Sequence, residues 1–104
     1  MGGDGSSWVE EYRVLARAWK RADGEAVRNQ LRPVIVEHFE AAGARVEDLL
    51  EELTTREVRL AMGLGMQGAL WNALYFELQR REVALRRSRR VAAQVYAEQR
   101  SRPV

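Results

Sequence analysis

The sequence predicts an all-α fold: a small helical bundle of four to six helices, with a long C-terminal helix. Apolar residues recur every three or four positions along most of the 104-residue chain, which is the period of an amphipathic helix. The β-branched run Val34–Val36 is the one stretch with strand character, and nothing else in the sequence resembles a partner strand. Between Gly68 and Gln99 the chain contains neither proline nor glycine, as expected of one long helix.

The chain is expected to begin with a disordered lead, residues 1–6, followed by a single helical domain over residues 7–104. Ser7 and Glu10 have the spacing of a capping box, which predicts that the first helix begins there. This helix is expected to run to about Ala22 and to end there, because a glycine follows shortly after. Its apolar face repeats every three or four residues, at Trp8, Tyr12, Leu15 and Trp19.

The segment Glu25–Ala42 has helical character at both ends and a proline in its middle. Pro33 lacks the backbone N–H that a helix interior needs, and its ring crowds the preceding turn. The sequence therefore predicts either two short helices or one kinked helix here. Gly43 is expected to close the segment, since glycine tolerates the backbone conformation of a helix C-terminus.

Two shorter helices are predicted next. The first is acidic and runs from Val46 to Leu53, with its leucines on one face. Thr54 and Glu57 form a second capping-box spacing, so the second helix is expected to begin there and to reach about Met62.

The C-terminal helix is expected to run from about Gln67 to Gln99, roughly 30 residues and about 45–50 Å. A compact domain of 100 residues has a radius of gyration of only about 13 Å. The helix must therefore overhang its domain, break near Ser88, or pack on another subunit. Apolar residues recur every seven positions along it, which is the repeat of a coiled coil. A coiled coil needs a second apolar row beside the first, and here Arg81 and Ser88 interrupt that second row. We predict a homodimer in which this helix makes much of the interface.

Composition excludes several kinds of chemistry. The chain has no cysteine and one histidine, His38, so neither a thiolate site nor a histidine pair can form within one chain. A lone histidine is usually structural, and we expect no catalytic residue, no cofactor and no metal. No apolar run approaches the roughly 18 residues of a membrane span, and no secretory signal is evident. The expectation is a cytoplasmic, non-enzymatic protein that does not act at membranes.

Charge is segregated along the chain. The net charge of +2 combines −4 over residues 1–78 with +6 over residues 79–104. Six arginines lie within eleven residues of the long helix: Arg80, Arg81, Arg86, Arg87, Arg89 and Arg90. Such a cluster can contact the phosphates of a nucleic acid. It can equally dock an acidic protein surface, such as residues 47–52 of the same or another chain, or remain solvated.

A literal G-x-G-x-x-G occurs at Gly63–Gly68. In dinucleotide-binding proteins this pattern follows a strand and opens a helix. Here the preceding residues are predicted to be helical, so the glycines are interpreted as a turn between two helices. The three tryptophans, together with Met62 and Met66, are interpreted as core or interface residues.

Residues 54–74 combine a short helix, a glycine turn and a second helix, with inward-facing apolar residues on both sides of the turn: Val58, Met62, Leu64, Leu70 and Leu74. This segment resembles a helix-turn-helix of the kind found in phage repressors and other bacterial regulators. The resemblance implies that the two helices pack at a steep angle and that Gly63 takes the left-handed conformation of the turn.

By the same resemblance, the second helix would enter the major groove of DNA. Its outward residues would be Gln67, Trp71, Asn72 and Tyr75, of which the two amides can pair with adenine. The sequence thus predicts a dimeric DNA-binding protein that uses residues 55–75 in the groove and the arginines on phosphates. The alternative is a helical adaptor or assembly protein whose acidic and basic helices mediate association.

Overall fold

The computed structural model describes residues 5–101, with side chains from Ser7 onwards. Within that range the chain forms five α-helices and one 3-10 turn, and no strand, which confirms the predicted all-α class. The elements in order are α1 (Gly5–Arg21), α2 (Glu25–Ala42), the turn Gly43–Arg45, α3 (Val46–Glu51), α4 (Thr55–Met62) and α5 (Gly68–Ser101).

The first helix begins earlier than predicted. Residues 1–4 of the expected lead lie outside the described part of the chain, whereas Gly5 and Ser6 already belong to α1. Ser7 is therefore inside the helix, and the predicted N-cap at this position is wrong. The apolar face is where the periodicity placed it: Trp8 and Tyr12 are buried, and Leu15 and Trp19 pack against the core from its edge.

Pro33 does not divide the second helix. α2 is one uninterrupted helix of 18 residues with the proline in its interior. Pro33 lies on the exposed side, so water can hydrogen-bond to the carbonyl group that loses its partner. Ile35 and Phe39, on the opposite side, have no exposed surface and anchor the helix to the core. Packing of this face therefore outweighs the unfavourable propensity of one proline.

The core lies where α1, α2 and α3 meet the start of α4 and α5. Phe39 is at its centre and packs edge-on against two rings, with centroid distances of 4.9 Å to Trp8 and 5.1 Å to Tyr12. This edge-to-face arrangement is the favoured geometry for aromatic pairs. The Tyr12 hydroxyl donates a hydrogen bond of 2.6 Å to the carbonyl of Glu57, which joins α1 to α4.

The predicted capping box is confirmed and explains where α4 begins. The Thr54 hydroxyl accepts a hydrogen bond of 3.1 Å from the backbone N–H of Glu57. The Glu57 carboxylate in return accepts a bond of 2.8 Å from the backbone N–H of Thr54. Both donors would otherwise lack a partner at the helix N-terminus. The preceding α3 ends at Glu51, slightly earlier than predicted.

The long C-terminal helix is confirmed and does not break near Ser88. α5 has 34 residues, and it extends beyond the domain that buries its first half. Every residue from 82 to 101 is exposed, and we call this segment the α5 extension. It gives the described chain dimensions of 63 × 35 × 26 Å and a radius of gyration of 18.4 Å, against about 13 Å for a compact domain of this size.

Candidate nucleic-acid interface

Most of the predicted arginines share the side of α5 that faces away from the core. At about 100° per residue, Arg86, Arg87 and Arg90 fall within an arc of roughly 100° on that side. Arg80 and Arg89 flank the arc on its two edges. We call these five residues the arginine face. It is a broad stripe along α5, and the opposite side of the helix carries the core-facing row of apolar residues.

The guanidinium groups of the arginine face are largely accessible. Arg87, Arg89 and Arg90 are exposed, and none of them forms an ion pair with another residue in the described part of the chain. Arg86 donates to Glu82 at 2.6 Å, but both side chains are more than half exposed. Arg80 is 58% exposed and donates to Glu77 at 2.7 Å. A polyanion can therefore reach all five.

Arg81 differs from the other arginines because its guanidinium points inwards. It donates to the Glu77 carboxylate at 2.7 Å and to the Thr55 hydroxyl at 3.1 Å. The same group donates to the carbonyl oxygens of Leu50 at 2.8 Å and Leu53 at 2.7 Å. These carbonyls lie where α3 ends, and that of Leu50 also accepts a hydrogen bond of 3.1 Å from the backbone N–H of Leu53. A cation near the C-terminal end of a helix is favourable. Arg81 joins α5 to α3 and α4, and we leave it out of the arginine face.

Glu77 is a buried carboxylate that the sequence analysis did not single out. It is 5% exposed and accepts hydrogen bonds from both Arg80 and Arg81. Burial, the largest single influence, raises the pKa of Glu77, but the hydrogen bonds and the positive charges of Arg80 and Arg81 together outweigh it and hold the pKa below the usual glutamate range. The sequence feature that could have identified Glu77 is its position in the core-facing row of α5, three and four residues before two arginines.

This lowered pKa makes the stability of the fold depend on pH. Because the pKa is lower in the folded chain, the stabilisation from Glu77 is present above the unfolded value of about 4.3 and is lost as the pH falls through the folded value. We therefore expect Glu77→Gln to destabilise the protein at pH 7 and to approach wild-type stability near pH 3. Urea denaturation over this range measures the difference, and Glu40→Gln, at an exposed position, is the control. A destabilisation by Glu77→Gln that does not change with pH would contradict this assignment.

The predicted inward-facing apolar residues of the segment 54–74 face the core. Val58, Leu64 and Leu74 are buried, and Met62 and Leu70 are partly buried against the core. The expected left-handed turn at Gly63 is wrong, since its φ of −72° is right-handed. The positive φ angles belong instead to Gly65 at +83° and to Gly68 at +64°. In the connection between α4 and α5, the residues with left-handed backbone conformation therefore come later in the sequence than expected.

The residues predicted to contact the groove are exposed near the start of α5. Gln67 precedes the helix, and Asn72 is exposed in its first turns. Trp71, 39% exposed, stacks on Tyr75 with a centroid distance of 5.0 Å. Trp71, Asn72 and Tyr75 lie on the same side of α5 as the arginine face, about 20 Å before Arg86 along the helix. Phe76, which the sequence did not identify as a candidate, extends this exposed aromatic surface at 55% exposure.

The remaining candidates have structural explanations. His38 stacks on Trp8, and its Nε2 donates to the Trp8 carbonyl at 2.9 Å, while the Trp8 indole donates to the His38 carbonyl at 2.9 Å. The glycine motif Gly63–Gly68 follows a helix, and no strand precedes it in the described chain. Among the described residues, no three His, Cys, Asp or Glu side chains are grouped to hold a metal ion.

Within residues 5–101, no helix has both the length and the apolar character needed to cross a membrane. No protein-family model, no curated protein and no solved structure matches the chain.

Proposed function

We propose that this protein is a non-enzymatic DNA-binding protein that contacts phosphates through the arginine face of α5. The single observation that carries the proposal is the state of Arg87, Arg89 and Arg90. These three cations lie on a helix that projects from the domain, and they lack ion partners among the described residues. Arginine forms bidentate hydrogen bonds with phosphate, and neutralising phosphates releases condensed counterions, which is a major source of affinity.

The surroundings of the arginine face support the proposal. The α5 extension carries five arginines and two glutamates, a net charge of +3 over residues 82–101. The arginine face covers about 15 Å of helix from Arg80 to Arg90, a length that spans several duplex charges at about 1.7 Å each. Trp71 and Asn72 lie towards the other end of the same side, and Gln67 is exposed just before the helix. In this proposal the arginines supply affinity, and the two amides contact base edges.

Replacing Arg87, Arg89 and Arg90 together by glutamine is expected to weaken binding to random duplex DNA at least about tenfold. The logarithm of the affinity should also fall less steeply with the logarithm of the salt concentration, by about 0.9 for each phosphate that the variant no longer neutralises. Fluorescence anisotropy at low and at moderate salt measures both quantities. The triple variant Arg17, Arg21 and Arg56 to glutamine removes the same charge from the globular part and is the control.

The comparison of the two triple variants separates a localised interface from general charge attraction. Equal weakening of DNA binding in the two triple variants would contradict the proposed role of the arginine face. A wild-type protein that fails to bind duplex DNA at low salt would overturn the proposed function.

Protein–protein association, as a helical adaptor, is the second candidate function. It is favoured by the exposed aromatic side chains of Trp71, Tyr75 and Phe76, which form a surface suited to a protein partner. Acidic and basic segments also meet within the chain. The pKa of Arg80 is raised by its hydrogen bond to Glu77, and the nearby charges of Glu47 and Glu51 on α3 add to the effect. The DNA titration distinguishes the two functions.

A further inference from the structure

The α5 extension carries an apolar stripe with no covering element in the described chain. Its large members are about half exposed or more: Leu85 at 50%, Val91 at 54%, Val95 at 47% and Tyr96 at 61%. At about 100° per residue, this stripe continues the row of Leu74 and Leu78, which faces the core. Helices are stabilised mainly by packing such a face. The core-facing row of α5 therefore runs on past the domain that covers its first half.

We propose that the stripe is covered by the α5 extension of a second copy of this chain, running antiparallel. This pairing goes beyond the proposed function and does not depend on it. The antiparallel direction follows from the space that the domain leaves free beside α5. Along residues 70–81 the core-facing side of α5 is occupied by α3 and α4, which both pack on it. A parallel second α5 would have to pass through the volume of these helices, whereas an antiparallel one ends where they begin.

Side-chain sizes along the stripe fit an antiparallel register. When Ser88 lies opposite the partner's Ala92, Leu85 lies opposite the partner's Val95. Small residues then meet at the centre, where two helices approach most closely, and large ones meet on either side. The interruption of the apolar row at Arg81 also has a reason, because that side chain is bonded to Glu77 and to the end of α3. The seam between copies begins after it.

Charges flanking the stripe are complementary in the same register. Glu82 lies near the partner's Arg100, and Glu98 lies near the partner's Arg80, with each pair formed twice by symmetry. Opposite charges at flanking positions are the usual determinant of helix pairing and orientation. Apart from Arg80, which flanks the seam, the arginine face points away from it, so pairing leaves these arginines accessible on the two outer sides of the dimer.

Sedimentation equilibrium of the full chain at micromolar concentration tests the pairing. We expect a dimer for the wild type and at least a tenfold loss of dimer affinity for Leu85→Glu. Val83→Glu is the matched control, because Val83 is 52% exposed but lies on the side of the arginine face, and it should remain dimeric. A wild-type monomer throughout this range, or equal weakening by both variants, would overturn the pairing.

Disulfide formation tests the direction, and the absence of native cysteine makes the result unambiguous. A mixture of the Leu85→Cys and Val95→Cys variants should form a mixed disulfide under mild oxidation. Neither variant should crosslink with itself, because the cysteine sulfurs of its two copies would lie about 15 Å apart along the helices. Efficient crosslinking of each variant with itself, and not in the mixture, would overturn the antiparallel arrangement.

Discussion

Replacing Phe39 by alanine is expected to lower the free energy of unfolding by about 3–5 kcal/mol. Phe39 has no exposed surface and packs edge-on against Trp8 and Tyr12 at the meeting point of α1 and α2. Alanine would leave a cavity bounded by two rings that their own hydrogen bonds hold in place. Because small domains have a total stability of about 5–15 kcal/mol, this one change would remove a large part of it.

Urea denaturation followed by far-ultraviolet circular dichroism measures the loss. Phe76→Ala is the matched control, since the same atoms are removed from a side chain that is 55% exposed. A change within about 0.5 kcal/mol is expected there. A decrease below about 1 kcal/mol for Phe39→Ala would mean that the aromatic cluster does not hold α1 against α2.

Replacing Arg81 by alanine is expected to lower the free energy of unfolding by about 2–4 kcal/mol. The variant would leave Glu77 buried with Arg80 as its remaining cationic partner. It would also remove the guanidinium that donates to the carbonyl groups of Leu50 and Leu53 at the end of α3. Arg81→Lys should recover only part of the stability, because one ammonium cannot reproduce the forked geometry of a guanidinium.

Arg87→Ala is the matched control for Arg81, because Arg87 is exposed and should change stability by no more than about 0.5 kcal/mol. The double variant of Arg81→Ala with Glu77→Gln is expected to be destabilised by less than the sum of the two single variants. Residues that share one hydrogen-bond network are coupled in this way. Chemical denaturation of the wild type, the two single variants and the double variant completes the cycle. Equal stabilities of Arg81→Ala and Arg87→Ala would contradict the structural role of Arg81.

Most boundaries of the helices could be predicted because they depend on residues within one or two turns. The capping box of Thr54 and Glu57 is made by groups three residues apart, and it marks the start of α4 whatever the rest of the chain does. The length of α5 likewise follows from the lack of breakers after Gly68. The N-cap predicted at Ser7 was wrong, because the first helix already begins at Gly5 and Ser7 lies inside it.

Features that depend on packing could not be decided locally. Pro33 was compatible with two short helices or with one kinked helix, and burial of Ile35 and Phe39 holds the segment together as one helix. Three glycines between α4 and α5 were equivalent as residues that tolerate positive φ. Gly65 and Gly68 adopt it because the connection must bring the start of α5 onto α4, which is a requirement of the whole fold.

The sequence by itself determined the helical class, the length of α5 and the concentration of arginines along it, because periodicity, breakers and charge are properties of the chain. Only the tertiary structure decided which arginine does what. Arg81 and Arg87 are the same residue type on the same helix, yet α3 and α4 cover one and leave the other in solvent. The domain ends between them, and the position of that end is set by packing between segments distant in sequence. It is this packing that separates a structural arginine from those proposed to bind phosphate.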